Sequence, residues 1–206
     1  MRNLLALRDR HWPAWARLLE HPFVQRLQDG EVPYTAGLRW LEQLYPLTQE
    51  LLRLKAKLLL NAPRPHQLVL AYGLVAAVEE LDWLEVLGVN PDAPRHPTIQ
   101  AHLQLLKSLA EHPYPVAIVG LWVLHRAFLD VWMSACPACE PLGRLTEYLS
   151  SSESRAYMHD VSDLAEEALI HATPEERARI EEVTEAILRY EHALWDLALS
   201  YAHNAR

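Results

Sequence analysis

The spacing of apolar residues predicts a chain built of α-helices. Between residues 35 and 60, leucines recur three and four positions apart, which places them on one face of a helix. Comparable patterns, bounded by proline, glycine and asparagine, predict further helices along the chain. Because no run of alternating β-branched residues lies between turn signals, we expect an all-α fold. The predicted helices span residues 3–19, 23–28, 35–60, 67–87, 98–109, 115–132, 142–149, 154–171 and 174–203.

Proline and short polar residues shape the predicted helices. Pro46 should kink the helix over residues 35–60. Two polar turns predict capping boxes, one at residues 150–153 and one at residues 173–176, where proline takes the first helical position. Each box should begin the helix that follows it.

The segment over residues 115–132 is apolar on nearly every side until His125, and we expect the other helices to pack around it. Charges at Arg126 and Asp130 leave too short an apolar run for a membrane span, so a core helix is predicted. Its interior glycine, Gly120, costs about 1 kcal/mol of helix propensity relative to alanine. That glycine indicates either a close backbone approach or open space, and hence a pocket, beside the helix.

The composition supports one domain spanning residues 1–206. Half of the residues are hydrophobic, which is enough for a substantial core, and no linker divides the chain. The 19 basic and 27 acidic residues give a formal charge of −8 without basic clusters, which argues against nucleic-acid and membrane partners. The first ten residues are too charged for a secretory signal, so we expect the cytoplasm.

Both cysteines, Cys136 and Cys139, lie in one Cys-Pro-Ala-Cys turn after the central helix. A zinc site needs two further ligands, and a disulfide framework needs more cysteines. We interpret the turn as a loop with two thiols, and metal or redox use of the pair is the alternative.

Separated stretches along the chain carry a family signature. They are His21-Pro-Phe-Val-Gln-Arg-Leu-Gln-Asp-Gly30 with Trp40-Leu-Glu-Gln-Leu-Tyr45, Ala117-Ile-Val-Gly-Leu-Trp-Val123, Tyr148-Leu-Ser-Ser-Ser-Glu153 and Tyr190-Glu-His-Ala-Leu-Trp-Asp-Leu-Ala198. In order and spacing they resemble the TenA family, thiaminase II and its relatives. The last one, for example, is similar to the family's closing Tyr-Glu-x-x-Phe-Trp-x-x-Ala.

The resemblance implies a haem-oxygenase-like helical bundle with an internal pocket, often assembled as a homotetramer. Family members hydrolyse thiamin or salvage its aminopyrimidine fragments. In them a cysteine attacks the pyrimidine ring, an aspartate binds its amidine edge, and a glutamate near the end of the chain moves protons. We therefore expect a small-molecule ligand, no cofactor, and a homo-oligomer, with a tetramer as the first expectation and a dimer as the second.

Two residues that this chemistry needs are absent. The cysteine of the resembling enzymes falls at Gly120, and the aspartate falls at Leu44. The glutamate is retained as Glu191, a possible general acid or base. One family tyrosine is retained as Tyr148, and another is replaced near His102. We therefore do not expect an active thiaminase II.

The retained residues predict a mostly apolar pocket with a few polar groups. Aromatic side chains, His125 among them, could form a flat slot, although aromatics at helical spacing are more often plain core. Glu191 could instead be a surface or intersubunit residue. The expected ligand-binding residues are Leu44, Tyr45, His102, Gly120, Trp122, Tyr148, Glu191 and Trp195.

Metal binding is weakly supported. Relatives of this fold that carry two irons need several Glu, Asp and His residues on facing helices. The sequence has Glu79, Glu80 and Asp82 on one helix but lacks the matching histidine spacings. His192 and Asp196, four positions apart, are more typical of a local helix-face pair. We expect no metal site.

Three hypotheses about function follow. The first is a divergent TenA-like protein that binds or processes a small aromatic or pyrimidine-like compound, related to thiamin salvage, without a cysteine nucleophile. The second is a non-catalytic binding or interaction protein on the same fold. The third is a dinuclear-metal oxidase. The sequence does not name the ligand.

Overall fold

The computed structural model describes residues 1–137 and 139–204, and the regular structure of this part is helical. A single 3₁₀ turn, Arg64–His66, precedes α5. The all-α prediction is confirmed. The helix bounds lie within a few residues of those predicted, except that the helix predicted over residues 3–19 is divided into α1 and α2. The helices are α1 Arg2–Arg10, α2 Trp12–Leu19, α3 Pro22–Gln28, α4 Tyr34–Asn61, α5 Gln67–Val86, α6 Pro97–Leu109, α7 Tyr114–Ala135, α8 Leu142–Leu149, α9 Ser152–His171 and α10 Pro174–Asn204.

Helix α7 lies at the centre of the bundle, as predicted. Every residue from Val116 to Leu124 is buried, and the helix packs mainly against α9 and α10. By length and mean hydropathy (1.5) α7 could also cross a membrane, but 67% of its most apolar stretch is buried inside the protein. We therefore interpret α7 as a core helix that needs neighbours on all sides.

Four aromatic rings join three of the long helices. Trp40 of α4 stacks on Trp132 of α7, with centroids 5.6 Å apart and planes 2° apart. Trp195 of α10 lies 5.3 Å from Trp40, and Phe128 of α7 stacks within 6.3 Å of all three indoles. This aromatic cluster (Trp40, Phe128, Trp132 and Trp195) fixes how α4, α7 and α10 meet.

The two predicted capping boxes have different outcomes. Before α10, Thr173 Oγ1 accepts a hydrogen bond from the backbone N–H of Glu176 (3.2 Å), and Glu176 accepts one from Thr173 N–H (2.8 Å). This reciprocal box is confirmed. The capping box predicted at residues 150–153 is wrong. With Ser150 as the cap, α9 would begin at residue 151, but it begins at Ser152. Ser151 is the cap, accepting from Ser154 N–H (3.1 Å), so no glutamate occupies the third position.

Helix α5 has an apolar outer face. Leu68, Tyr72 and Val75 lie three and four positions apart and are 55–63% exposed. Val78 and Val86 extend the exposed apolar surface toward the end of the helix. The opposite side of the helix packs on α4 and α9, so these apolar side chains are not covered by another described helix. The exposed Glu79 and Asp82 lie between Val75 and Val86 on the same side. We refer to the five exposed apolar residues as the α5 face.

Candidate functional site

A cavity of about 150 Å³ lies among α4, α5, α6, α7, α8, α9 and α10. Its walls are mostly leucine, together with Phe128 and Met158. Phe128 also belongs to the aromatic cluster, so that cluster supports one wall of the cavity. The polar residues that line the cavity are Thr48, Lys55, Glu80, His102, His125, Tyr148, Ser154, Tyr157 and Glu191.

At the inner end, Glu191 of α10 faces His102 of α6. Glu191 Oε1 lies 3.8 Å from His102 Nε2, and both side chains are almost completely buried. The second carboxyl oxygen of Glu191 and Nδ1 of His102 have no hydrogen-bond partner within the described chain. Two buried polar groups therefore line the cavity with unused hydrogen-bonding capacity.

Burial keeps both of these groups uncharged at neutral pH. Removal from water raises the pKa of Glu191 to about 8 and lowers the pKa of His102 to about 4. Glu191 is then a carboxylic acid with one O–H donor, and His102 is a neutral imidazole with one donor and one acceptor. The inner end thus presents a neutral donor–acceptor edge.

A lysine lines the part of the cavity around Tyr157, which we call the outer end. Lys55 of α4 is only 5% exposed, and its Nζ lies 5.2 Å from the ring centroid of Tyr157 of α9. Burial lowers the pKa of Lys55 to about 8, against the opposing influence of Glu80. Burial also raises the pKa of Glu80, whose carboxyl accepts a hydrogen bond from Thr48 Oγ1 at 3.0 Å. This end carries charge, whereas the inner end does not.

Tyr157 reaches the cavity because Gly73 leaves room for it. A Cβ at Gly73 would lie 2.2 Å from the Tyr157 hydroxyl and 2.7 Å from Cζ, which is closer than real atoms approach. The hydroxyl is buried and has no partner in the described residues. The His125 ring lies 6.0 Å from the Tyr157 ring, and burial, followed by the nearby Lys55, holds the pKa of His125 well below its usual range.

Solved structures share this architecture. A TenA homologue from Pyrococcus furiosus superposes with a TM-score of 0.87 at 20% identity, over 94% of this chain and 98% of its own. The chain has a TenA-like fold. A putative TenA-like thiaminase from Sulfolobus solfataricus gives 0.75 at 16% identity, over 97% of this chain and 95% of its own.

A solved structure that is not described as a TenA homologue also shares the fold. A CADD-like protein of unknown function from Nostoc punctiforme superposes with a TM-score of 0.66 at 14% identity, over 97% of this chain and 99% of its own. By sequence, no family model and no curated protein matches the chain. The resemblance drawn from sequence motifs is therefore confirmed at the level of the TenA-like fold.

Half of the expected ligand-binding residues meet at the cavity. Leu44, His102, Tyr148 and Glu191 line it, and His125 does so as well. Residues that were expected from the sequence motifs, and that lie on α4, α6, α8 and α10, therefore meet around one cavity. Glu191 is buried, so its alternative interpretation as a surface residue is wrong.

Gly120 does not line the cavity, and that expectation is wrong. A Cβ built there would lie 2.6 Å from Leu109 Cδ1 and 3.3 Å from Val183 Cγ1. The glycine marks a close approach of α6 and α10 to α7, which is one of the two alternatives that its sequence position allowed. Leu109 therefore occupies the space that a side chain at Gly120 would need.

Three expected aromatic residues also lie outside the cavity lining. The Tyr45 hydroxyl donates a hydrogen bond to Glu85 at 2.5 Å, and Trp122 Nε1 donates one to Ser162 at 3.1 Å. Trp195 packs into the aromatic cluster. Since each ring is engaged elsewhere, the flat aromatic slot is replaced by a leucine-walled cavity with tyrosines at its outer end.

Lys55, Glu80, Thr48 and Tyr157 were not predicted as site residues. A signal for Lys55 was present, because it stands four residues after Leu51 on the apolar stripe of α4. A charged residue on such a stripe indicates a buried partner or a cavity. Tyr157 and Glu80 carry no comparable signal in the sequence.

His192 and Asp196 meet His21 outside the cavity lining. His21 Nε2 lies 3.1 Å from Asp196 Oδ1, and His192 Nδ1 lies 3.2 Å from Oδ2, so these three residues have the spacing of metal ligands. His21 Nδ1, however, accepts a hydrogen bond from the Phe23 N–H (3.1 Å), so the proton of the neutral ring is on Nε2. That proton points to Asp196, and a metal ion at Nε2 would require loss of the helix cap.

We predict that Glu191→Gln stabilises the ligand-free protein in a pH-dependent way. The unfolded glutamate ionises near pH 4.5, whereas the folded carboxyl keeps its proton until about pH 8. As the pH rises between these values, ionisation favours the unfolded state, so the wild type loses stability and the variant does not. In urea unfolding, the free-energy difference should grow from near zero at pH 4.5 to about 2–4 kcal/mol at pH 7. The exposed Glu185→Gln is the control, and a difference that is constant from pH 5 to pH 8 would contradict the prediction.

Proposed function

We propose that the cavity binds a small, flat aromatic or pyrimidine-like compound in a role related to thiamin salvage, without cysteine chemistry. One observation carries the proposal: an apolar cavity of about 150 Å³ has the unpartnered Glu191–His102 pair at its inner end. A dry apolar cavity of roughly this size admits a benzene ring. A single ring with one or two polar edge atoms therefore fits the space and the available hydrogen bonds.

The inner pair suits a neutral nitrogen heterocycle. The acid form of Glu191 can donate its proton in a hydrogen bond to a ring nitrogen, and the lone pair of His102 can accept one from an exocyclic amine. Because the pKa of Glu191 lies near 8, this group can also release and recover a proton at neutral pH. Glu191 is therefore the candidate general acid or base in the cavity.

The similarity to a protein named as a TenA-like thiaminase supports thiamin-related compounds as the ligand class. It does not extend to the covalent mechanism, because the described cavity lining contains no cysteine. A non-catalytic binding protein on the same fold is the alternative. A dinuclear-metal oxidase is less well supported, since in the described chain the His/Asp group with ligand spacing lies at His21 and not in the cavity.

We predict that Leu129→Trp abolishes ligand binding. Leu129 lines the cavity and is only partly buried, so a larger indole there would take up space that the ring needs. Thermal shift and calorimetry with 4-aminopyrimidines and other single-ring aromatics should show binding to the wild type and none to the variant. Leu5→Trp, at an exposed position of α1, is the matched control. Unchanged binding by Leu129→Trp would place the site elsewhere, and no binding of any such ring by the wild type would overturn the proposal.

We predict that the protein does not hydrolyse thiamin at enzymatic rates. The described cavity lining holds no cysteine to form the covalent intermediate, and Leu109 fills the space beside Gly120. Because Leu109 occupies this space, the double variant Leu44→Asp with Gly120→Cys should gain no activity. Adding Leu109→Ala would make room for the cysteine side chain. Turnover of thiamin by the wild type at a kcat of about 1 s⁻¹ or more would contradict the prediction.

We also propose that the protein is a homo-oligomer, a tetramer or otherwise a dimer, acting in the cytoplasm. The α5 face offers a surface for this association, because a group of exposed apolar side chains on one helix face is typical of protein interfaces. Light scattering at micromolar concentration should give a multiple of 23.6 kDa.

We predict that Tyr72→Glu lowers the molar mass of the assembly. A carboxylate in the middle of the α5 face would have to be desolvated on association. Tyr34→Glu, at an exposed tyrosine of α4, should leave the mass unchanged. A monomeric wild type would refute the oligomer, and an unchanged mass for Tyr72→Glu would refute the α5 face as its interface.

A further inference from the structure

Lys55 is an unpaired ammonium at the outer end of the cavity. Its side chain is only 5% exposed, and within the described chain it makes no ion pair. Its Nζ lies over the face of the Tyr157 ring, 5.2 Å from the centroid. A buried charge of this kind is unfavourable unless something compensates it, so the position calls for a partner.

The groups around Lys55 do not supply that partner. Glu80 is the opposite charge that acts on Lys55, but its carboxyl lies beyond ion-pair distance of Nζ and accepts a hydrogen bond from Thr48. His125 is neutral and can offer a donor. The Tyr157 hydroxyl is a further buried donor without a described partner. No described carboxylate therefore lies within ion-pair distance of the Lys55 ammonium at this end of the cavity.

We propose that Lys55 anchors a carboxylate carried by the aromatic ring that the cavity holds. The inference rests on the proposed function and narrows the ligand class to aromatic carboxylates. A carboxylate suits the site better than a phosphate, because one lysine stands alone here without an arginine among the cavity residues. The neutral ring edge would face Glu191 and His102, and the anionic substituent would face Lys55.

A structural role for Lys55 predicts a different outcome from a ligand-binding role. If the ammonium only supported the fold, Lys55→Met would destabilise the protein. If it is kept for a ligand, replacing an uncompensated buried charge by an apolar chain of similar length should leave the melting temperature unchanged or raise it. The variant would then be at least as stable as the wild type and defective only in recognition.

The test compares matched ligand pairs that differ in charge and hardly in shape. The pairs are benzoate with benzamide, and 4-aminopyrimidine-5-carboxylate with its carboxamide. One of the two carboxylates should bind the wild type more tightly than the other. By calorimetry, that carboxylate should bind at least about tenfold more tightly than its own amide, as expected for a charge-assisted hydrogen bond. In Lys55→Met this ratio should fall to about one. Lys57→Met, at an exposed lysine of the same helix, should keep the wild-type ratio.

Each outcome decides the matter. Equal affinity for carboxylate and amide in the wild type would overturn the anchor and leave the proposed function intact. A preference that survives in Lys55→Met would also overturn it, as would a large loss of stability in that variant together with the loss of all binding. Failure of the wild type to bind any of the four rings would count against the proposed function itself, and the anchor would fall with it.

Discussion

The stacking of Trp40, Phe128, Trp132 and Trp195 is the contact on which the rest of the structure depends. Burial of each ring contributes about 1.5–3 kcal/mol, and each stacked pair adds about 0.5–1.5 kcal/mol. Two of the indoles, Trp40 and Trp195, bury an N–H that has no described partner, which costs about 1–3 kcal/mol each. Packing therefore outweighs an appreciable polar penalty. The rings hold α4, α7 and α10 together, and Phe128 is both part of this cluster and part of the cavity wall.

The fold was largely predictable because helical periodicity is a local property. The apolar circumference of residues 115–132 requires neighbours on every side, and α7 has them. Caps were less predictable, since Ser150, Ser151 and Ser152 are chemically alike and only the geometry selects Ser151. The helix predicted over residues 3–19 divides at His11 into α1 and α2, and Pro13 lies in the first turn of α2, where proline is tolerated.

The site was predicted only in part, and Gly120 and Lys55 show why. A helical position specifies which way a side chain points, but not what the facing helix places there. At Gly120 the facing residue is Leu109, which fills the space, and no feature of residues 117–123 reveals this. Lys55 lies among Arg53 and Lys57 and looks like part of a solvated face. Only the four-residue spacing from Leu51, which places Lys55 on the apolar stripe of α4, indicates a buried position. That spacing alone does not show whether the side chain meets a cavity or the surface.

The two ends of the cavity bury titratable groups in different charge states. At the inner end, Glu191 and His102 become neutral, so each keeps a polar atom available at modest electrostatic cost. At the outer end, Lys55, with a pKa of about 8, remains mostly charged at neutral pH. Neither arrangement is the best for stability, because each buries a polar or charged group whose desolvation an apolar side chain would avoid. Since proteins sharing this fold carry different names, the fold alone does not assign the function. The proposed ligand binding therefore rests on the polar groups that reduce stability at the cavity.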